Sequence, residues 1–222
     1  MRRFAVAIDG PAGAGKSTVA RKVADRLGIT YVDTGAMYRA LAWKALSENM
    51  DTDNEEDITH LAEGIRFSLD PNGIRVNGIP LSDEIRTPEV SNEASKIAKM
   101  PGVRRILVNK QQEIAATQHV VMDGRDIGTH VLPDADVKIF LTASIDERAR
   151  RRFEELTAKG LSPDFDRIRE EIRRRDENDR TRVHSPLRQA EDAIRIDTTG
   201  RSVDEVVETI LRLCRNKMGG EE

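Results

Sequence analysis

The chain has 222 residues, a formal net charge of −3, 34% charged and 38% hydrophobic residues, which is enough apolar material for one well-buried core with small appended pieces. Positive and negative charges nearly balance, so the whole chain carries neither a nucleic-acid coat nor a polybasic membrane patch. Cys214 is its one cysteine and the four histidines are scattered, which excludes an internal disulfide and makes a zinc site unexpected.

Phe4 to Ile8 is an apolar run of strand length, and Asp9 to Ser17 reads D-G-P-A-G-A-G-K-S. Gly10, Gly15, Lys16 and Ser17 fill the pattern G-x-x-x-x-G-K-[ST]. Val19, Ala20, Val23, Ala24 and Leu27 then share a helical face, and Gly28 supplies a stop. Strand, glycine-rich loop and helix in that order build an anion site from backbone alone. Gly10, Pro11, Ala12, Gly13, Ala14 and Gly15 would wrap the phosphates, with Thr18 in the first helical turn. Lys16 adds a point charge for the β- and γ-phosphates, and the Ser17 hydroxyl can ligate Mg²⁺. The pattern therefore implies a nucleoside triphosphate; the bland alternative, a glycine-rich turn that binds nothing, does not explain the flanking strand and helix. The first apolar run is too short for a signal-peptide core and no stretch is long enough to span a bilayer, so a cytoplasmic protein is expected.

Thr30 to Asp33 is a short strand leading into a helix from about Ala36 to Glu48, with Met37, Leu41, Ala42, Ala45 and Leu46 on one face. Thr52-x-x-Glu55 has capping-box spacing for a short helix through Leu61. Between residues 65 and 81 the pattern changes: alternating segments are separated by Pro71-Asn72-Gly73 and Asn77-Gly78, which predicts an antiparallel meander. Thr87-Pro88 opens a helix carrying Val90, Ala94, Ile97 and Ala98, and Pro101-Gly102 separates it from another with Val103, Ile106, Leu107 and Ile114. His119 to Asp123 is a core strand ending in an acid, followed by Gly124 to Thr129, and Val137 to Leu141 is the next strand. Ser144-x-x-Glu147 caps a helix entering a segment, Arg148 to Arg182, with eleven arginines and nine acids, interrupted by Gly160 and Pro163. Ala193 to Asp197 is the last strand, and Ser202 opens a closing helix. Strands alternating with helices imply an α/β parallel sheet covered on both faces, with ligands at the carboxyl ends of strands, where Asp9, Asp33 and Asp123 fall.

Five blocks together, D-G-P-A-G-A-G-K-S, D-T-G-A-M-Y-R (33 to 39), E-I-R-T-P-E-V (84 to 90), D-G-R-D-I-G-T (123 to 129) and R-D-E-N-D-R-T-R (175 to 182), resemble the bacterial cytidylate kinase family in content and order. The resemblance runs from about Ala5 to the last helix. It departs at Thr34, where Ser is also common, and at Ser17, where some members have Gly, so a hydroxyl ligand for Mg²⁺ is not required throughout the family. It implies a three-layer P-loop kinase fold: a five-stranded parallel sheet covered by helices, a small antiparallel insert and a helical lid. The corresponding division is a core of about 1–35, 102–147 and 183–222, a nucleotide-binding insert of about 36–101, and a lid with its arginine segment of about 148–182.

The same resemblance implies phosphoryl transfer from ATP, with Mg²⁺, to CMP or dCMP. The acceptor phosphate has a second pKa of about 6 and is already a dianion at neutral pH, so no general base is needed. Arginines and Mg²⁺ must instead neutralise two polyphosphates brought together. By resemblance, Arg39, Arg125 and Arg182 grip the CMP phosphate as guanidinium forks. Asp126 accepts from the cytosine amino group, Arg104 and Thr34 donate to its acceptor edge, and Ser95, Arg175 and Asp179 contact the ribose. Lys16, Arg125, Arg182 and Arg152 carry the transfer.

Arg148 and Arg152 lie one helical turn apart, on one face, as reaching ATP together would require, while Arg150 and Arg151 point elsewhere, toward solvent. The alternative for each arginine is a solvated surface residue paired to neighbouring acids. Asp33 and Asp123 either hold Mg²⁺ through water or cap the following turn. Trp43 and Tyr38 sit on or beside an apolar face, where core packing competes with base stacking. A nucleotide switch is disfavoured because Asn109-Lys110-Gln111-Gln112 lacks the acid of N-K-x-D. RNA binding is disfavoured because acids interleave the arginines and no aromatic platform lies among them. A kinase of the same fold acting on UMP or another small acceptor is the nearer rival. ATP and CMP or dCMP are thus the expected partners, with no nucleic acid or membrane, and the resemblance favours a monomer.

Overall fold

The computed structural model describes residues 3–70 and 73–219; the expected turn residues Pro71 and Asn72 lie outside them. β1 (Ala5–Asp9) is buried at every position, which is why it is apolar from Ala5 to Ile8 rather than alternating, with Asp9 as a buried acid at its end. α1 (Lys16–Leu27) starts at Gly15 and stops at Gly28, both left-handed, and buries Val19, Ala20, Val23 and Ala24. β2 (Thr30–Asp33) runs straight into α2 (Thr34–Ser47), whose first turn is capped by Asp33.

α3 (Glu55–Gly64) corrects one expectation. Its cap is Asn54, which accepts from the Glu56 and Asp57 amides, and not Thr52, whose hydroxyl donates to Glu93 at 2.6 Å. Starting there brings Glu55, Glu56 and Asp57 together in the first turn, against the positive end of the helix.

β3 (Phe67–Asp70), β4 (Gly73–Val76) and β5 (Ile79–Leu81) form the expected antiparallel meander. Asn77 and Gly78 both take positive φ, 51° and 85°, as a tight hairpin turn with the twist of its strands demands. α4 (Pro88–Ile97) begins at Thr87, whose hydroxyl accepts from the Val90 amide, with Pro88 in the first turn. α5 (Pro101–Thr117) follows.

β6 (Val120–Gly124) and β7 (Val137–Thr142) are separated by a loop with one short π-helical turn, Ile127–Val131. The arginine-rich segment forms two helices, α6 (Ile145–Ala158) and α7 (Phe165–Thr181), broken where Gly160 and Pro163 predict. β8 (Ile194–Asp197) leads to α8 (Val203–Met218), which carries a full capping box between Ser202 and Glu205.

The five-stranded sheet has the order β2-β6-β1-β7-β8, with β1 parallel to β6 and β7, and β7 parallel to β8. The chain packs as two compact units. One comprises the residues up to Tyr31 and those from Gln118 onward, the other Val32–Thr117. In the first, Val6, Ile8, Val121, Ile139 and Leu141 of the sheet meet Val19 and Val23 of α1 and Val206, Ile210 and Leu211 of α8. α6 and α7 pack side by side over a small core of Ala149, Ile168 and Ile172, with Phe153 edge-on to Phe165. In the second, α2 packs on α4 and α3 on α5. Among the described residues no helix is long and apolar enough to cross a membrane.

Candidate active site

The register of the sheet brings two loops together. Asp9, the last residue of β1, pairs with Gly124, the last of β6, so the glycine-rich loop and the turn carrying Arg125 and Asp126 leave from adjacent strand ends. Position 10 admits only glycine: φ is 153° and a Cβ would fall 2.0 Å from the Leu141 carbonyl oxygen. At Gly15 φ is 85° and the Arg151 guanidinium lies 3.7 Å from where a side chain would start.

Lys16, the first residue of α1, is buried, and its ammonium donates to the Pro11 carbonyl at 2.7 Å. Burial, then the nearby Arg125 charge, push its amine down to about 7. The lysine is therefore folded back onto the loop it belongs to. Ser17 and Thr18 are exposed. The Ser17 hydroxyl donates to Asp123 Oδ2 at 3.0 Å, and the Tyr31 hydroxyl to Asp123 Oδ1 at 2.7 Å. A hydroxyl and a carboxylate in contact are hard oxygen donors suited to Mg²⁺. No group of three acids, histidines or cysteines able to hold a metal by itself occurs among the described residues.

Pro11, Ala12 and Ala14 are buried, and the Ala12 and Ala14 carbonyls are held from outside the loop. Arg148 donates to Ala12 O at 3.0 Å, to Ala143 O at 3.0 Å, and through both terminal nitrogens to the Asp176 carboxylate at 3.0 and 2.7 Å. Arg148 and Asp176 are both buried. Thr198, also buried, reaches the Ala14 carbonyl at 3.4 Å. Arg151 donates to the Thr198 hydroxyl at 3.1 Å and to its carbonyl at 2.7 Å. The expectation that Arg151 points to solvent is thus corrected: it braces the strap beside the phosphate loop. Its signal in the sequence was absent, because Thr198 lies 47 residues away. Arg150 is exposed and bonds Glu147 and Glu154, as expected of a surface arginine. Arg152, one turn beyond Arg148, is half-buried and pairs with Glu155 at 2.7 Å.

Around the second loop, Arg125 Nε donates to Asp179 at 2.6 Å. Burial works against ionisation of Asp179, but Arg125 and the other arginines near it hold its carboxyl below the usual carboxylate range. Asp126 is buried, with an Arg182 terminal nitrogen 3.6 Å from its Oδ1. Arg182 closes α7 and donates through Nε to the Ser185 carbonyl. Arg175 is half-buried on the same helix. The structure thus brings Lys16, Ser17, Asp123, Arg125, Asp126, Asp179 and Arg182 together within the first unit.

The remaining predicted residues belong to the second unit. Asp33 is committed there twice, capping α2 through the Ala36 amide at 2.7 Å and pairing with Arg39 at 3.0 Å. Thr34, the first residue of α2, is buried. Arg104 is buried on α5, donates to Ala98 O at 3.3 Å and stacks 5.9 Å from the Tyr38 ring. The Ser95 hydroxyl donates back along α4 to Ser91 O at 3.0 Å. Trp43 is half-buried on α2.

With this geometry in hand, the chain was compared with known proteins. A family model described as Cytidylate kinase matches residues 6–216. A cytidylate kinase of Alkaliphilus metalliredigens is 53% identical over 215 residues, covering 97% of this chain and 98% of its own. One of Caldanaerobacter subterraneus subsp. tengcongensis is 52% identical over 216 residues, covering 97% and 96%. Among solved structures, a gluconokinase from Sinorhizobium meliloti aligns over 100% of this chain and 99% of its own at a TM-score of 0.50 and 17% identity, a likeness of fold alone.

Proposed function

Since the chain belongs to the cytidylate kinase family, we propose that it transfers the γ-phosphoryl group of ATP in line to CMP and dCMP, giving CDP and dCDP. The observation that carries this reading is the pairing of Asp9 with Gly124. It starts the phosphate loop and the Arg125-Asp126 turn from neighbouring strand ends, so cationic groups flank the place where two phosphates would meet. Lys16 swings from Pro11 to the β- and γ-phosphates, and Gly10 to Gly15 with Thr18 hold the chain of phosphates. Magnesium, coordinated at Ser17 and reached through water by Asp123 and Asp33, would offset charge on the transferring group. Asp123 already touches the Ser17 hydroxyl at 3.0 Å, which puts the greater weight on Asp123.

Arg125 and Arg182, with Arg39 of the second unit, grip the acceptor phosphate, and Asp126 reads the cytosine amino group. Arg104 and Thr34 donate to the acceptor edge of the base, while Ser95, Arg175 and Asp179 hold the ribose. The buried state of Asp126 supports its part: an acid there pairs with an amino group but repels a uracil carbonyl, a difference of about 1–3 kcal/mol. Residues 36–101 act as the nucleotide-binding insert. Residues 148–159, with the adjoining arginine segment to 182, act as a lid that excludes water; Arg152 reaches the ATP phosphates, and Arg148, expected beside it, bears on ATP through the Ala12 carbonyl of the phosphate loop. The enzyme works in the cytoplasm as a monomer.

Coupled ADP release across the common nucleoside monophosphates tests the reading. CMP and dCMP should be turned over in preference to UMP, AMP and GMP, and ATP hydrolysis without acceptor should be far slower than transfer. Asp126→Asn should narrow the preference for CMP over UMP; an unchanged ratio would remove Asp126 from base reading.

A further inference from the structure

We propose that Asp9 is a positioning residue for the acceptor side of the reaction, fixing the backbone of the turn that presents Arg125 and Asp126 and thereby the discrimination between bases. The inference rests on the cytidylate-directed reading above.

Asp9 is 4% exposed, and each of its carboxylate oxygens accepts one backbone N–H from across the sheet. Oδ1 takes the Ile127 amide and Oδ2 the Gly128 amide, both at 2.8 Å. These are the two amides that immediately follow Asp126. The Asp126 carbonyl is held in turn by the His130 amide at 2.9 Å and the Val131 amide at 3.1 Å. The backbone that leaves Asp126 is therefore held through its carbonyl and through the next two amides. Arg125, one residue earlier, leaves the same strand end.

A carboxylate in this setting is a costly choice. Burial pushes the Asp9 carboxyl up to about 6, Asp126 adds to the push, and the two amide bonds and Lys16 offset only part of it. Inside a protein, a buried acceptor that satisfies two fixed donors is hard to replace, since a neutral amide can accept from one and must present its own N–H₂ to the other. Gly128 leaves room for the arrangement: a Cβ there would sit 3.4 Å from Asp9 Oδ2 and 3.2 Å from Lys138 Cδ. An alanine there would touch that oxygen and press on Lys138 Cδ, so the Lys138 side chain or the turn carrying the Gly128 amide must give by a few tenths of an ångström, with no change of charge.

The test compares steady-state kinetics of the wild type, Asp9→Asn and Gly128→Ala, with ATP, CMP and UMP each varied. Displacing the turn by a fraction of an ångström should raise KM for CMP about tenfold to a hundredfold in Asp9→Asn. The preference for CMP over UMP should narrow, and KM for ATP should stay within about twofold. Gly128→Ala should move the same quantities in the same direction by a smaller factor, which keeps the test decisive if Asp9→Asn does not fold. Equal changes in the KM values for ATP and CMP would overturn the proposal, as would an unchanged preference in Gly128→Ala. A wild type that leaves CMP unphosphorylated would instead defeat the functional reading.

Discussion

The foot of α6 and its next turn carry the same residue in opposite circumstances. Arg148 is 3% exposed and bonded to Asp176, Ala143 and Ala12, whereas the Arg152 side chain keeps 39% of its surface in solvent and pairs with Glu155. The helical repeat makes the two equivalent, and burial separates them. A guanidinium removed from water must be matched by fixed partners, so Arg148 becomes part of the frame that shapes the phosphate loop. An exposed ion pair contributes at most about 1 kcal/mol, so Arg152 can exchange Glu155 for a phosphate at little cost.

The largest effect expected from this comparison is at its buried end. Arg148→Met should destabilise the protein by about 3–5 kcal/mol, because it strands the Asp176 carboxylate. The double variant Arg148→Met/Asp176→Leu should recover much of that loss in urea denaturation. A small loss in the single variant would break the comparison, since Arg148 would then be no more structural than Arg152. Lys16→Met separates function from frame in the loop itself: kcat should fall about 10²- to 10³-fold while the midpoint of denaturation holds or rises, since a buried amine is replaced by an apolar chain of similar length.

Asp9 extends the comparison to a buried acid. Burial raises its carboxyl from the ordinary 3.8 to about 6, so the folded protein binds the proton more tightly than the unfolded chain. Its contribution is most favourable below pH 4 and is lost as pH rises through about 6. Between pH 4 and pH 7.5 the wild type should therefore lose about 2 kcal/mol relative to Asp9→Asn. Parallel stability-pH curves for the two proteins would contradict this. The smallest effect belongs to the exposed end: Arg152→Ala should change stability by less than about 0.5 kcal/mol, yet raise KM for ATP. A stability loss without a change in KM would return Arg152 to the surface.

How much of this could be read from the chain depends on the distance over which each residue finds its partners. The phosphate loop, the Asn77-Gly78 turn, the Thr87 and Ser202 caps and the break at Gly160 and Pro163 are local, and each stands where the sequence indicates. Capping-box spacing pointed to Thr52, but its hydroxyl is drawn to Glu93, 41 residues on, and Asn54 caps the helix. Helical spacing put Arg148 and Arg152 on one face but said nothing of what lies opposite. Asp176 and Thr198, 28 residues from Arg148 and 47 from Arg151, decide which arginines are bound into the scaffold. Asp9 was visible as a strand-end acid, but its two amide partners lie 118 and 119 residues away.

Following the fate of the transferred group tests the account most directly. With γ-labelled ATP, Mg²⁺ and CMP, the purified protein should place the label in CDP, with one ADP formed for each CDP and little label in inorganic phosphate. Label that accumulates in phosphate, or in the product of an unrelated acceptor while CMP stays unchanged, would contradict it.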